Sequence, residues 1–524
     1  MSVKSTTTVT NRVSRFVKNL QEFVGSRLDS WMGAVAKVSG LTLVSRVCGF
    51  VRDQSFAYVF GASPWIESFI VAFKLPGMFR RVLGEGMTSV VVPVFSELTD
   101  KESQNKFIQS MFLALFAITG LICLIVSMFP VLCVKFVAAG FSDDSRLMMT
   151  ASMLPWCFGY LIFISWLALL SGVLNAHKSF ALPAAVPLVL SVGLVLGTWL
   201  VYFYGGHPMW LCYSTAVAGF VQVWWMIAAI RQYDFRIQWP HVWHPGVKKV
   251  LAMMFAAWVG MAASQISVFM DTWIASWLPE GCITWLYLSE RLVYMPQGTI
   301  GVAIATVLLP GLSKANVDND SGSYDATLSQ GLVWGVRLGV PLMLMMVCYA
   351  EPIVMLLFGY GKFSAHHVHA TAQSMAAMVL GLPLMMMNKL LVASYFAKKL
   401  VRQSVYATIL CVVCNAVIAL SFMNVYQHVA LAAAIASGSA VSVAYLLWRH
   451  PSRTYLLNAL WSEVKNNWFT WLKLLVLLYV ASLLFSISYE ASFFERLMKL
   501  VIMLGLSTGA TWFFAMRNTA VKSS

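Results

Sequence analysis

Charged side chains interrupt two long apolar stretches near the start of the chain, between residues 33 and 95. A charge at the bilayer centre costs roughly 2.5–3.5 kcal/mol on insertion scales, so such residues must face water or one another. The cations outnumber the acids, and a planar guanidinium grips phosphate oxygens through two parallel hydrogen bonds. The pattern therefore favours binding of an anion, with phosphate or diphosphate as the first candidate. The charged residues are Arg46, Arg52, Asp53, Glu67, Lys74, Arg80, Arg81 and Glu85.

Helical spacing places several of these charges on shared faces. Lys74 and Arg81 are seven residues apart, and Arg81 and Glu85 are four apart, separations that bring side chains to one side of a helix. We predict that the charges line a water-filled, net-positive cavity inside a helical bundle. A second interpretation stays open, in which they form internal salt bridges that hold helices together, above all Glu85 with Arg81.

The elements that must position these charges are membrane helices. Of the 524 residues, 59% are hydrophobic and only 11% are charged, whereas soluble domains have about 25% charged residues. No polar stretch is long enough to form a soluble domain. The net charge of +15 does not indicate nucleic-acid binding, because the basic residues lie mainly in short loops, as the positive-inside rule expects.

Segments of about 20 apolar residues mark the membrane-spanning helices. The chain is predicted to be an all-α polytopic membrane protein with about fourteen of them. They are predicted at 33–60, 64–95, 107–134, 147–174, 181–204, 208–230, 247–277, 281–311, 328–350, 370–394, 404–423, 427–449, 468–488 and 495–515.

An even number of spans places both termini on one side of the membrane. With the N-terminus in the cytoplasm, the inner segments hold roughly twenty Lys and Arg and the outer loops about four, so both termini are predicted to be cytoplasmic. The first thirty residues show no cleavable signal. Residues 11–28 instead space apolar and basic residues as in an amphipathic helix on the anionic inner leaflet. A frayed tail is the alternative for this leader.

A short internal repeat suggests two bundles. "VVVPVFSE" (90–97) and "VLLPGLSK" (307–314) share a Pro and a Ser at one offset, which also sets Lys74 against Arg291 and Asp53 one place from Asp271. Two parallel six-helix lobes around a central cavity would follow. The predicted domains are a leader at 1–32, lobes at 33–230 and 247–449, linkers at 231–246 and 450–467, a final helix pair at 468–515 and a tail at 516–524.

The chain lacks the motifs of common catalytic sites. There is no HExxH, no P-loop and no GxSxG elbow, so an enzyme is not predicted and any transport is passive or driven by ions or membrane potential. The nine Cys lie mostly in apolar spans and imply no disulfide framework. His366, His367 and His369 stand in a predicted outer loop, where a solvated loop is favoured over a metal site.

Four sequence blocks resemble one family. They are "SRVCGFVRD" (45–53), "FGASPWIESFIVAFKLPGMFRRVLGEG" (60–86), "SERLVYMPQGTIGVAIATVLLPGLSK" (289–314) and "LFGYGKF" (357–363). They closely resemble the MurJ/MviN family of bacterial lipid II flippases, within the multidrug/oligosaccharidyl-lipid/polysaccharide exporter superfamily. The likeness covers nearly the whole chain from about residue 33 onward.

The resemblance implies two six-helix lobes around a cationic cavity and a final helix pair that forms a lipid groove. The implied cargo is lipid II, an undecaprenyl-diphosphate-linked disaccharide pentapeptide, moved from the inner to the outer leaflet of the bacterial inner membrane by alternating access. The substrate-binding positions it implies are Arg46, Arg52, Asp53, Glu67, Lys74, Arg80, Arg81, Glu85 and Arg291.

Some positions depart from the family pattern. Glu67 stands where relatives commonly have Asp, and Gly77 replaces the usual Asn. Some relatives bind sodium, and Asp271 with Asn415 is the tentative counterpart here, which leaves sodium, protons or membrane potential as the driving force. The expected partners are lipid II, anionic phospholipids and cell-wall synthesis proteins. The alternatives are an exporter of another polyprenyl-linked saccharide and a non-transporting scaffold for envelope synthesis.

Overall fold

The computed structural model describes residues 31–141, 144–235, 243–318, 320–484, 495–499 and 505. Within these ranges the regular structure is helical throughout. Residues 1–30 of the leader, residues 236–242 of the linker and most of the 495–515 span lie outside the described residues. The α-helices are α1 (Trp31–Phe60), α2 (Pro64–Ser96), α3 (Lys101–Met128), α4 (Pro130–Val137), α5 (Asp144–Ala176), α6 (Ala181–Tyr204), α7 (Trp210–Ile230), α8 (Gly246–Ala275), α9 (Cys282–Pro296), α10 (Val302–Val317), α11 (Ser321–Cys348), α12 (Ala350–Phe358), α13 (Ala365–Val379), α14 (Leu382–Ala397), α15 (Val401–Arg449) and α16 (Arg453–Leu484).

The long helices have the length and composition of membrane spans. Among the described residues, seven helices are long and apolar enough to cross a bilayer, or eight if the bent pair α13 and α14 forms one span. Helices α1 and α2 have 30 and 33 residues, well above the about 20 that a span needs. The all-helical membrane fold is thus confirmed, whereas the count of fourteen spans stays a prediction.

Breaks in the helices separate neighbouring spans. α15 runs for 49 residues but has non-helical angles at Gln427 (φ 45°, ψ −124°), between the spans predicted at 404–423 and 427–449. A π-helical turn, Gln297–Gly301, joins α9 to α10 directly after Pro296, a common cause of helix kinks. Apart from its first residue, the predicted span 281–311 therefore lies within one continuous helical stretch, Cys282–Val317, that contains a π-helical turn.

The described chain divides into two compact units, and each is considered separately. Unit 1 comprises Met1–Arg52, Phe79–Ile125 and Trp156–Trp258, and unit 2 comprises Asp53–Met78, Val126–Pro155 and Val259–Ser524. Every boundary between these segments falls inside a helix. The lobe boundaries predicted from the sequence are not tested by this division and stay a prediction.

In unit 1, small residues let α6 and α7 pack closely. A side chain at Gly193 would collide with Ala218, and one at Gly197 would collide with Ser214. Membrane helices associate through such small-residue faces because lipid supplies no hydrophobic driving force between them. The opposite faces carry exposed large residues such as Phe220, as expected for surfaces against lipid.

In unit 2, helix α16 is fastened to α11 by an ion pair as well as by apolar packing. Arg337 Nε and Nη2 donate to the two carboxylate oxygens of Glu463, each at 2.7 Å. Asn467 Nδ2 donates to the same carboxylate at 2.8 Å, so the buried acid is well satisfied. Leu456 of α16 and Leu332 of α11 belong to one buried cluster.

The three histidines of the predicted outer loop lie in a helix instead. Helix α13 begins at Ala365, so His366, His367 and His369 occupy its first two turns, and the loop predicted from the sequence is shorter than expected. Ser364 precedes the helix with extended backbone angles, the conformation of an N-cap residue. No cluster of three or more potential metal ligands occurs among the described residues.

Three His-Pro pairs stand just before helices, and in each pair the His side chain accepts a backbone hydrogen bond near the helix start. His207, His244 and His450 each accept, at Nδ1, the backbone N–H of the residue two positions later, at 3.3, 3.1 and 3.2 Å. The imidazole therefore does what an Asn or Asp side chain does at a turn or N-cap. Because Nδ1 accepts, the proton of the neutral ring must sit on Nε2.

Protonation of these rings would remove the acceptor. Burial and then Lys398 lower the pKa of His450, although Asp325 opposes them, and burial followed by Lys106 lowers the pKa of His244. The unfolded chain takes up protons near the ordinary His pKa of about 6.5, whereas the folded chain resists them. Stability is therefore lost as pH falls below about 6.5.

We expect His450→Asn to reduce this acid sensitivity, because an Asn oxygen can accept the Ser452 N–H without titrating. Melting temperatures of the purified protein in detergent, measured from pH 7.5 to 5.0, should fall less steeply for the variant than for the parent. His207→Asn is the matched control, since His207 is exposed and its replacement should leave the slope unchanged. Equal slopes for His450→Asn and the parent would contradict the assignment.

Candidate functional site

In unit 2, Asp53 of α1 is tied to α9. Its side chain is almost fully buried, and its carboxylate accepts the Tyr287 hydroxyl at 2.8 Å. The other oxygen lies 3.3 Å from Arg291 Nε. Arg291 Nη2 in turn donates to the Tyr287 hydroxyl oxygen at 3.0 Å. The three groups form a closed polar network that satisfies the buried acid.

Arg291 remains accessible within this network. Its side chain is 49% exposed, and its guanidinium lies over the Tyr287 ring at 4.8 Å from the centroid. Tyr287 and Arg291 share a face of α9 because they are four residues apart. The contacts to Asp53 and Tyr287 use two of the five N–H donors of a guanidinium, so the group is held in place while half of the side chain stays exposed.

Glu67 of α2 caps the start of α9. One carboxylate oxygen accepts the N–H of Ile283 at 2.9 Å and that of Thr284 at 3.4 Å, where a helix N-terminus attracts negative charge. The other oxygen lies 3.6 Å from Arg146 Nη1. Since Glu67 has 0% exposure, this geometry favours the salt-bridge interpretation for it over contact with a ligand.

Arg146 is a further charged residue of the site that the sequence patterns did not indicate. It lies just before the span predicted at 147–174. In the structure it is buried, donates to the Leu278 carbonyl at 3.4 Å and lies 5.0 Å from the Phe141 ring centroid. The available signal was a lone Arg beside a long apolar run.

The tentative cation pair is brought together, but as a hydrogen bond. Asn415 Nδ2 donates to Asp271 Oδ1 at 2.6 Å, and Lys74 and Glu290 are close enough to act electrostatically on Asp271. An amide nitrogen and a nearby ammonium are poor surroundings for sodium, which prefers oxygen ligands. The arrangement of Asp271, Asn415 and Lys74 therefore does not fit a sodium ion.

In unit 1, the predicted cations differ in exposure. Arg52 of α1 is buried at 9% exposure, whereas Arg46 and Arg80 are exposed. The side chains of Arg81 and Glu85 lie outside the described residues. Sequence reasoning thus placed these residues on α1 and α2 correctly but could not rank their accessibility.

Arg80 lines a cavity of about 320 Å³ inside unit 1, together with Tyr160 and Gln222. The Tyr160 hydroxyl donates to Gln222 Oε1 at 2.8 Å, and Gln222 Nε2 donates to the Val186 carbonyl at 2.7 Å. Tyr160 and Gln222 carry no charge and were not predicted as site residues. Their mutual bonds fix a polar wall beside the guanidinium.

Comparison with known proteins identifies the family. The family model described as "Lipid II flippase MurJ" matches residues 56–504. A relative from Burkholderia cenocepacia named "Lipid II flippase MurJ" is 33% identical over 78% of this chain and 81% of its own. The chain belongs to the lipid II flippase MurJ family. A Vibrio cholerae relative, "Probable lipid II flippase MurJ", is 31% identical over 78% of this chain and 81% of its own.

Solved structures support the fold of this MurJ family member. A structure described as "Lipid II flippase MurJ, inward closed conformation" matches with a TM-score of 0.77 at 23% identity, covering 92% of this chain and 99% of that one. An inward-facing multidrug MATE transporter of the MOP superfamily matches with a TM-score of 0.62 at 11% identity, covering 79% and 96%. The family is one of multi-pass membrane transporters rather than enzymes, as predicted.

We expect Glu67→Gln to destabilise the protein strongly. The change leaves the buried Arg146 without its charge partner, and breaking a buried ion pair from one side typically costs about 3–5 kcal/mol. The loss is measured as the decrease in the free energy of unfolding of the purified protein in detergent. Removing both charges, with Glu67→Gln and Arg146→Met together, should recover part of it.

Glu102→Gln provides the matched control. Glu102 pairs with Lys106 on the surface of α3, where the two side chains are 72% and 51% exposed, and such pairs contribute about 0.3–0.5 kcal/mol. If Glu67→Gln lowers the free energy of unfolding as little as Glu102→Gln does, Glu67 does not hold the start of α9 in place.

Proposed function

We propose that this protein moves lipid II, the undecaprenyl-diphosphate-linked disaccharide pentapeptide, from the inner to the outer leaflet of the bacterial inner membrane. Membership of the lipid II flippase MurJ family across most of the chain supports the cargo. The observation that carries the chemistry is the half-exposed Arg291, braced by Asp53 and Tyr287. A flippase needs a cation that is held firmly and still reaches a diphosphate.

The basic residues of the predicted site would neutralise the diphosphate. A guanidinium stays charged at any physiological pH and binds phosphate oxygens through two hydrogen bonds. In this proposal the candidate substrate-binding cations are Arg46, Arg52, Lys74, Arg80, Arg81 and Arg291. Asp53 orients Arg291, and Glu67 acts at a distance by fixing the start of α9.

Other features of the transport cycle extend the proposal. Both termini face the cytoplasm, which the excess of Lys and Arg in the inner segments supports. The basic leader before residue 30 binds anionic phospholipids. Cell-wall synthesis proteins are partners of the transporter. The headgroup crosses by alternating access, driven by protons, sodium or the membrane potential. The hydrogen bond between Asp271 and Asn415 does not favour sodium over protons or the membrane potential as the driving force.

Substitution of the predicted cations tests the cargo. We expect Arg291→Ala and Arg52→Ala each to slow translocation of labelled lipid II in vesicles by about 10–100-fold, because one charge-assisted hydrogen bond contributes about 1.5–3 kcal/mol. Arg291→Lys should also be impaired, since an ammonium lacks the planar fork. The same variants should fail to rescue a flippase-depleted bacterium while reaching the membrane folded.

Arg402→Ala is the control, because Arg402 is an exposed basic residue at the start of α15 and should leave the rate unchanged. Deletion of residues 1–28 separates transport from scaffolding. A scaffold would lose activity without its basic leader and tolerate the arginine changes, which is the reverse of what we expect. Full translocation by both Arg52→Ala and Arg291→Ala would refute the proposed function.

A further inference from the structure

Three imidazoles surround the indole of Trp285 in the first turn of α9. The indole is buried, and its ring centroid lies 5.4 Å from that of His366, 5.9 Å from that of His367 and 4.9 Å from that of His428. His366 and His367 belong to α13 and His428 belongs to α15, so three helices of unit 2 meet at this indole. The topology predicted from the sequence places the cluster on the outer side of the protein.

A hydrogen bond ties the indole to one of these rings. Trp285 Nε1 donates to His367 Nδ1 at 3.3 Å. Because Nδ1 accepts, the His367 ring is neutral and carries its proton on Nε2. A second proton would go to Nδ1 and abolish the acceptor. The bond therefore exists only while the His367 ring is neutral.

His428 is the buried member of the cluster. Its side chain is 6% exposed, and its Nδ1 has no hydrogen-bond partner among the described residues. The titratable group of α9 beside it is the Cys282 thiol, which is hydrogen-bonded to the His428 backbone. A charge that is buried without a partner is costly. Uptake of a proton by His428 therefore favours an arrangement in which the ring reaches water.

The nearby bases oppose an added positive charge. His366 is exposed and lies close enough to act electrostatically on both His367 and His428. Lys362, in the segment before α13, is a further exposed cation. As His366 takes up a proton in acid, its charge repels any charge on the other two rings.

The acids of the neighbouring elements are engaged elsewhere or exposed. Glu67 of α2 forms its ion pair with Arg146 of α5. Glu351 of α12 lies 3.6 Å from the ring of His369, which is also exposed. Glu280, just before α9, is exposed to solvent. The described surroundings therefore offer the buried His428 ring no carboxylate that would hold it in place once it is charged.

A helix break directly before His428 gives this ring a place to move. Gln427 has φ 45° and ψ −124° inside α15, a conformation that residues other than glycine rarely adopt. Backbone strain of this kind clusters at switch regions. A change of the Gln427 angles would turn His428 away from Trp285 while both halves of α15 stay helical.

We propose that His367 and His428 form an acid-sensitive latch on Trp285. The neutral rings hold α13 and the second half of α15 against α9, and the latch opens when the rings take up protons. Trp285 and Arg291 are six residues apart on α9, about 9 Å along its axis, so the latch acts on the helix that carries Arg291. Its opening does not depend on which cargo the protein moves, and the inference goes beyond the proposed function.

Hydrogen exchange of the full chain in phosphatidylcholine nanodiscs tests the latch. After correction for the intrinsic exchange rate, we expect peptides covering 366–375 and 428–436 to lose protection about tenfold between pH 7.5 and pH 5.5, because these segments open locally. Peptides of α6 in unit 1 should keep their protection over the same range.

Variants assign the response to the two rings. His367→Asn with His428→Leu should keep its protection at pH 5.5, because the Asn oxygen accepts the Trp285 N–H and neither side chain titrates. His367→Asn alone should lose less protection than the parent, and it serves if the double variant does not fold. His369→Asn is the matched control, since His369 lies on the same helix but contacts Glu351, and it should show the full loss of the parent.

Three results would overturn the latch. They are equal protection of the parent at both pH values, a loss in the His367 variants as large as in the parent, and a loss in α6 as large as in the two latch peptides. The last result would indicate general unfolding in acid. Because the readout is exchange without added lipid II, a failed latch leaves the proposed function standing, and failure of lipid II translocation leaves the latch standing.

Discussion

A charge buried within a membrane protein needs a partner, and this constraint governs the described part of the site. The Glu67 carboxylate forms an ion pair with Arg146 and accepts hydrogen bonds from two N–H groups at the start of α9. Asp53 is satisfied by Tyr287 and Arg291. Removing one partner from such a pair leaves an uncompensated charge that costs several kcal/mol. The acids therefore hold the helices in register, and the more numerous cations can serve an anionic ligand.

Helix α9 shows how this constraint positions a functional group. Glu67 of α2 fixes its first turn, and Asp53 of α1 fixes the Arg291 side chain about 12 Å farther along the same helix, from the rise per residue. Two anchors on one rigid helix define both its position and its rotation. An arginine supported in this way loses little conformational entropy on binding phosphate. Under the proposed function, Glu67 and Asp53 thus have structural roles and Arg291 has the ligand-binding role.

The sequence by itself determined the membrane class, the family and the approximate positions of most described helices. The linker predicted at 450–467 was wrong, because α16 already begins at Arg453. The length of an apolar segment and motifs such as "FKLPGMFRR" are local properties of the sequence. They can be recognised without knowing how the helices pack. The sequence also identified which residues carry charge, but not their partners. Only the tertiary structure joined Glu67 to Arg146 and Asp53 to Tyr287, and it showed that the predicted pair Asp271 and Asn415 forms a direct hydrogen bond. The His-Pro caps likewise became visible only once the backbone brought each N–H to its imidazole. The physical reason is that helical periodicity defines the face on which a residue lies, whereas its neighbour across that face depends on how distant segments pack.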